Sequence, residues 1–182
     1  MKICAVLLFM GVLFMAENTE AYEAAYPKTP NGEIEVKVIP AAKIMVTEDQ
    51  GNYFDHNNDM FMRLFRYIND NDVSMTVPVE AQVEKARMRF YVSSVDSAKD
   101  LTEKGTVKVV NVPERTVVSI GIRGSYTKKK FEQNRGRLLA WLREKPEYES
   151  AGEAYAVYWD APFVPWFMKH SEVHIPLRGK AE

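Results

Sequence analysis

The hydrophobic pattern divides the chain into stretches of two kinds, one typical of strands and the other of helices. Apolar, largely β-branched residues are interleaved with polar ones, as in half-buried strands, in these stretches: 33–39, 43–48, 73–79, 88–92, 107–112, 116–122, 155–159 and 172–177. Pro40 and Pro113 each separate a first strand from a second. Because proline cannot donate a hydrogen bond to a central ladder, we expect both prolines at an edge, bend or bulge.

Two helices are predicted where apolar residues recur every three or four positions. The stripes expected to face the core are Phe61, Leu64, Phe65 and Ile68 in the first helix and Phe131, Leu138, Leu139 and Leu142 in the second. The expected N-caps are Asp55, Asn57 or Asn58 for the first helix and Ser125 or Thr127 for the second. The pattern therefore predicts an α+β fold in which two helices flank a twisted antiparallel sheet or a distorted, partly closed β-barrel.

The two halves of the chain resemble each other. An offset of 73 residues aligns identical pairs, namely Gly32/Gly105, Val36/Val109, Pro40/Pro113, Gly51/Gly124 and Tyr53/Tyr126. With one inserted residue, the alignment continues through the helices. Because the unit occurs twice, it predicts a single pseudo-twofold domain made of duplicated β-rich halves, 32–104 and 105–177, and not a solenoid.

The N-terminus has the organisation of a secretory signal peptide. Lys2 is followed by an apolar run at 3–16 that ends at Glu17. This run is shorter than the ~20 residues needed to span a bilayer, and small residues at Thr19 and Ala21 suit cleavage after Ala21. We therefore predict a signal peptide at 1–21, a mature domain at 22–182, and an exported protein that is periplasmic or secreted.

The composition and the net charge limit the kinds of protein and of binding partner that we expect. Hydrophobic residues make up 46% and charged residues 27% of the 182 residues, which is typical of a globular protein that needs neither disulfides nor metal to hold its core. The formal net charge of −1 gives no overall basic footprint for nucleic acid or an anionic membrane. We therefore expect no nucleic-acid partner and, after signal cleavage, no membrane span.

Three stretches, in order, resemble the SOUL haem-binding protein family. The first is a helix with Phe61, Leu64 and Tyr67 followed by Met75-Thr76-Val77-Pro78-Val79, and the second is the strand Met88-Arg89-Phe90-Tyr91-Val92. The third runs from Tyr158 through Pro162 and Pro165 to Glu172-Val173. The resemblance covers about residues 34–177. It implies a duplicated, distorted β-barrel flanked by two helices, and binding of haem or a related tetrapyrrole in an apolar groove beside the first helix.

A tetrapyrrole site needs flat apolar walls, cations for the propionates and, optionally, an axial ligand for iron. The residues that we assign to such a site are Met60, Arg63, Leu64, Tyr67, Phe163, Trp166, Phe167, Lys169 and His170. On the helix, Met60 and Tyr67 could instead widen the buried face while Arg63 reaches solvent. The apolar segment 163–168 could instead plug the barrel.

Metal ligation and catalysis are left open by the sequence. His170 and His174 flank Glu172 in a predicted strand, where residues four apart are separated by about 13 Å, too far for a shared zinc ion. His170 or His56 alone could ligate iron. We expect a carrier or scavenger more than a catalyst. The alternatives on the same scaffold are a hydrolase or tetrapyrrole-modifying enzyme and a module that binds organic cations; a buried carboxylate in the groove would favour these alternatives.

Overall fold

The computed structural model describes residues 22–161 and 163–179. The predicted signal peptide lies outside these residues. The strands are β1 (Glu23–Ala24), β2 (Ile34–Ile39), β3 (Ala42–Glu48), β4 (Thr76–Val77), β5 (Val79–Gln82), β6 (Arg87–Tyr91), β7 (Lys108–Val112), β8 (Arg115–Arg123), β9 (Tyr148–Ser150), β10 (Tyr155–Tyr158) and β11 (His170–Gly179). The helices are α1 (Tyr53–Asp70) and α2 (Lys128–Arg143).

The main sheet is antiparallel and curls into a half-barrel, which confirms the predicted α+β class. Its strand order is β2-β8-β11-β10-β5-β6-β3-β7, and β9 pairs with the far end of β11. Every neighbouring pair along this path is antiparallel. A separate short parallel pair joins β1 to β4.

The strand order is unchanged when the two halves are exchanged. The strands β2, β3, β5 and β6 of the first half correspond, in this order, to β7, β8, β10 and β11 of the second. When each strand is exchanged for its counterpart, the strand order of the sheet is the same, read from its other edge. Gly51 and Gly124, which the sequence repeat aligns, each lie shortly before a helix. Both have a positive φ, +104° and +107° respectively, and this conformation favours glycine. The order therefore has the symmetry of a pseudo-twofold; an origin by duplication stays a prediction.

Each helix begins at a capping side chain. Asn52 caps α1, and its side-chain oxygen accepts a hydrogen bond from the Phe54 amide at 3.0 Å. Our expectation of a cap at Asp55, Asn57 or Asn58 was wrong, because the helix begins earlier than its apolar stripe. Thr127 caps α2 as predicted.

The buried face of α1 differs from the predicted stripe. The residues that face the core are Tyr53, Met60, Leu64, Tyr67 and Ile68, whereas Phe61 is only half-buried and Phe65 is exposed. Apolar residues occupy more of the helix circumference than one packing surface can cover. The surplus aromatic side chains therefore remain at the surface of the helix, beside a groove.

Candidate functional site

A groove runs between α1 and the chain segment that connects β10 to β11. One part has a volume of about 390 Å³ and continues into a second part of about 320 Å³. Both parts are lined by Phe61, Val79, Tyr158 and Asp160. Each volume falls in the range of roughly 300–1,000 Å³ that is typical of ligand pockets.

The α1 wall of the groove is aromatic. Phe61 and Phe65 stack with ring centroids 5.9 Å apart, and Phe61 also packs edge-on against Phe90 at 5.3 Å. Phe54 extends the same wall towards the start of the helix. One turn of helix separates Phe61 from Phe65, so their rings share a face and present a flat apolar surface to the groove.

Three tyrosines meet in the larger part of the groove, near the start of α1. The ring of Tyr158 lies 6.3 Å from Tyr53 and 4.5 Å from Tyr126. The Tyr126 hydroxyl donates to the His170 carbonyl oxygen at 2.8 Å and accepts from the Asp160 amide at 3.1 Å. Burial raises the pKa of Tyr158 to about 12. The phenols are therefore neutral hydrogen-bonding groups near neutral pH.

The opposite wall comes from the segment after β10. Phe163 and Trp166 line the groove although 82% and 66% of their surfaces are exposed. The segment is held in successive turns, because the Val164 amide donates to the Ala161 carbonyl oxygen and the Met168 amide to that of Pro165. This wall is thus an apolar rim on a hydrogen-bonded backbone.

The charged side chains that line the groove, among the described residues, are Asp160 and Lys169. Asp160 is half-buried, and its Oδ2 accepts from the His170 amide. The Lys169 ammonium lies 5.0 Å from the centroid of the Tyr126 ring, a cation–π contact. The groove is therefore mainly apolar and carries one group of each charge.

The structure brings together part of the predicted site. Phe163, Trp166 and Lys169 line the groove. Phe167 packs against Trp166 with ring centroids 5.8 Å apart and is 54% exposed, but it does not line the groove. His170 lies behind the wall, where its Nε2 donates to the Thr29 carbonyl oxygen at 3.0 Å.

The predicted α1 residues lie elsewhere. Met60, Leu64 and Tyr67 are buried in the core; for Met60 and Tyr67 this is the alternative in which they widen the buried face. Arg63 is half-buried and pairs with Asp49 at 2.8 Å, so it serves the end of β3 and not the groove. The helix turns its phenylalanines to the groove because its other apolar side is packed on the sheet.

Sequence reasoning missed the tyrosines of the groove. Tyr53 and Tyr126 are an identical pair in the internal repeat, and both contact Tyr158. An aromatic residue that is retained at the same place in both halves was the signal that could have identified them. Asp160, within the third family-like stretch, had no comparable signal.

A second polar cluster lies on the face of the sheet that points away from the helices. Glu172 is buried there, and its carboxylate accepts hydrogen bonds from the Thr29 amide (2.8 Å), Trp159 Nε1 (2.7 Å), Ser119 Oγ (2.9 Å), Lys37 Nζ (2.8 Å) and His174 Nε2 (2.6 Å). Burial alone would raise its pKa, but His174 and Lys37 hold the pKa of Glu172 down to about 2. Glu172 is thus ionised at neutral pH.

Glu80 occupies the same face. Its Oε1 accepts from the hydroxyls of Tyr26 at 3.0 Å and Tyr91 at 2.6 Å, and pairs with Arg115 at 2.5 Å. Tyr26 comes from the N-terminal segment, which closes this face of the sheet. The two glutamates are therefore parts of the folded core and do not reach the groove.

Within residues 22–161 and 163–179, no helix is long and apolar enough to cross a membrane. The same residues contain no group of three or more His, Cys, Asp or Glu side chains arranged to hold a metal ion.

Known proteins are similar to this chain in sequence or in fold. The sequence profile described as "SOUL heme-binding protein" matches residues 18–176. No curated protein matches the chain. Among solved structures, EcmrR in its complex with DNA is similar with a TM-score of 0.64 at 14% identity, over 81% of this chain and 57% of that one.

Two further structures are similar over nearly their whole length. The C-terminal domain of EcmrR matches with a TM-score of 0.57 at 15% identity, over 81% of this chain and 98% of that domain. A protein from Listeria innocua, described as a hydrolase, matches with a TM-score of 0.54 at 11% identity, over 82% of this chain and 94% of that one. At such identities the likeness is one of fold, which does not specify function.

Proposed function

Because the chain belongs to the SOUL haem-binding protein family, we propose that it binds haem or a related tetrapyrrole in the groove beside α1. We further propose that it is exported and acts as a carrier or scavenger. The observation that carries the binding proposal is the aromatic groove itself, whose walls are Phe61 and Phe65 on one side and Phe163 and Trp166 on the other.

The residues of the groove fit a flat, largely apolar ligand with anionic substituents. Burial of apolar surface contributes roughly 25 cal/mol per Å² before the cost of association, so flat aromatic walls supply most of the affinity. Lys169 is the cation available to a propionate, and the phenols of Tyr126 and Tyr158 can serve as hydrogen-bonding partners. Among the described residues, no histidine lines the groove. When bound, haem would supply redox or ligand-binding chemistry at its iron.

Haemin titration of the mature protein, followed at the Soret band, tests this proposal. We expect a saturable shift. His56→Ala and His170→Ala should each weaken binding by less than about tenfold, or about 1.4 kcal/mol, because neither imidazole lines the groove. Trp166→Ala should weaken it more, because Trp166 lines the groove.

Two results would contradict this account. If His170→Ala abolished the Soret shift and Trp166→Ala left it unchanged, haem would be bound mainly by ligation of its iron, and not by contact of its ring with the apolar walls. A wild-type protein without a saturable shift would reject haem binding altogether.

Asp160 favours a second candidate, the binding of an aromatic organic cation. A carboxylate beside the rings of Tyr126 and Tyr158 offers charge pairing and cation–π contacts to such a ligand. The variant Asp160→Asn separates the two functions. It should weaken binding of a planar cation such as rhodamine 6G, but leave haemin binding unchanged or stronger, since a negative charge near the propionates is removed.

Export rests on the sequence of residues 1–21. We expect protein recovered from its native host to begin at Tyr22, and intact-mass spectrometry measures this directly. Recovery of a chain that still begins at Met1, in the membrane fraction, would instead indicate an uncleaved anchor.

A further inference from the structure

The segment 163–168 exposes an unusual concentration of large apolar side chains. Phe163 is 82% exposed, Trp166 66%, and Phe167 and Met168 54% each. We call these four side chains the apolar tip. Tyr22 and Phe65, also exposed, line the same part of the groove as Phe163. Contiguous exposed apolar surface of this kind marks interaction sites in soluble proteins.

The backbone of this exposed segment is hydrogen-bonded to the rest of the fold. Besides its two internal turns, the segment is tied to β8, because Arg123 Nε donates to the Phe167 carbonyl oxygen at 3.0 Å and the Gly124 amide to that of Lys169 at 2.8 Å. The backbone polar groups at the base of the tip are thus partnered within the protein. The aromatic side chains at the tip remain available to a partner.

Basic residues adjoin the base of the apolar tip. Arg123 contacts the segment directly, and Lys130 Nζ donates to the Arg123 carbonyl oxygen at 2.9 Å. Lys169 ends the segment, while Lys128 and Lys129, both exposed, open α2 beside Lys130. Although the net charge of the whole chain is −1, this part of the surface carries several positive charges, which we call the basic cluster.

We infer that the apolar tip docks this protein on an anionic phospholipid surface. Tryptophan and phenylalanine side chains partition into the interfacial region of a bilayer, and lysine and arginine at its edge are attracted by anionic headgroups. The combination of an exposed aromatic tip with an adjoining basic cluster fits this partner by charge as well as by polarity. It describes reversible attachment to the surface and not a membrane span.

This docking would place the groove at the membrane surface. Trp166 and Phe163 belong both to the apolar tip and to the groove wall. An amphipathic ligand dissolved in the bilayer could therefore pass into the groove without crossing bulk water. Attachment of the ligand-free protein to the membrane does not depend on which ligand the groove takes.

Vesicle flotation of the ligand-free, mature protein tests the docking. We expect binding to vesicles of phosphatidylcholine with phosphatidylglycerol, weaker binding to pure phosphatidylcholine, and weakening by salt. The double variant Phe167→Ser/Met168→Ser should bind at least about tenfold more weakly and keep its haemin titration, because neither side chain lines the groove. The matched control is Val38→Ser/Val110→Ser, which alters exposed apolar residues on β2 and β7 and should bind as wild type does.

Tryptophan fluorescence gives an independent measure. Trp166 is exposed whereas Trp159 is buried and Trp141 partly so, so an emission blue shift on anionic vesicles should disappear in Trp166→Phe. Absence of binding, or equal losses in the two double variants, would overturn the inference. A dimer in solution that Phe167→Ser/Met168→Ser dissociates, with no vesicle binding, would replace it by an interface with a second copy. Because lipid and haemin binding are measured separately, failure of one leaves the other result intact.

Discussion

Replacing Glu172 with alanine is expected to lower the free energy of unfolding by about 3–5 kcal/mol, the cost of breaking a buried ion pair. Glu172 is the shared acceptor for the Lys37 ammonium, the Trp159 indole and the Thr29 amide. Its removal takes the acceptor from two buried donors, the Trp159 indole and the Thr29 amide, and the paired charge from Lys37. It also weakens the attachment of the N-terminal segment, which then keeps the hydrogen bonds of Tyr26 to Glu80 and of His170 to the Thr29 carbonyl oxygen.

Urea unfolding at pH 7, where Glu172 is ionised, measures this effect. The control is Glu84→Ala, because Glu84 is exposed and its contact with Arg135 is 3.4 Å long; we expect a change below about 1 kcal/mol. If Glu172→Ala lowered the free energy of unfolding no more than Glu84→Ala does, the hydrogen bonds and ion pair of Glu172 would not stabilise the fold as we expect.

Replacing Phe61 with aspartate should weaken haemin binding by at least about 100-fold, or about 2.7 kcal/mol. Phe61 lines both parts of the groove and stacks on Phe65. The substitution removes the centre of the aromatic wall and adds a charge that repels propionates and loses hydration when the ligand binds.

Leu139→Asp is the control for this experiment, because Leu139 is a 42% exposed apolar residue on α2 that lies outside the groove. It should bind haemin as wild type does. Since Phe61 also packs against Phe90, a thermal melt must show that the variant is folded. Trp166→Asp, at a more exposed position of the opposite wall, provides a second test with less risk to the fold. Full affinity in both groove variants would place the ligand elsewhere.

The sheet and its strands were predictable because their signals are local. Alternation identified the strands around Val36 and Val109, and Pro40 and Pro113 separated each of these strands from the next. The pattern left a twisted sheet and a partly closed barrel as alternatives, and the strand pairing of the two halves decides for the half-barrel. The identical pair Tyr53/Tyr126 shows that the repeat also carried information about the groove.

The orientation of α1 was not predictable from its spacing. Met60 and Phe61 differ by one position, or about 100° around the helix, and each belongs to a plausible apolar stripe. Only packing against β3 and β6 decides which stripe is buried. Likewise, Thr29 and Glu172 are far apart in the sequence, so no local pattern could reveal that they meet.

The strand order has a consequence for synthesis of the chain. β2 at Ile34–Ile39 finds its sheet neighbour in β8 at Arg115–Arg123, and β7 finds its own in β3. A nascent chain that has emerged only as far as residue 104 therefore carries β2 without its ladder partner and β5 without β10, both of them aggregation-prone edges. The strands of the first half can complete their pairing only after most of the second half has left the ribosome. Chaperones act at this stage on β-rich chains of high contact order.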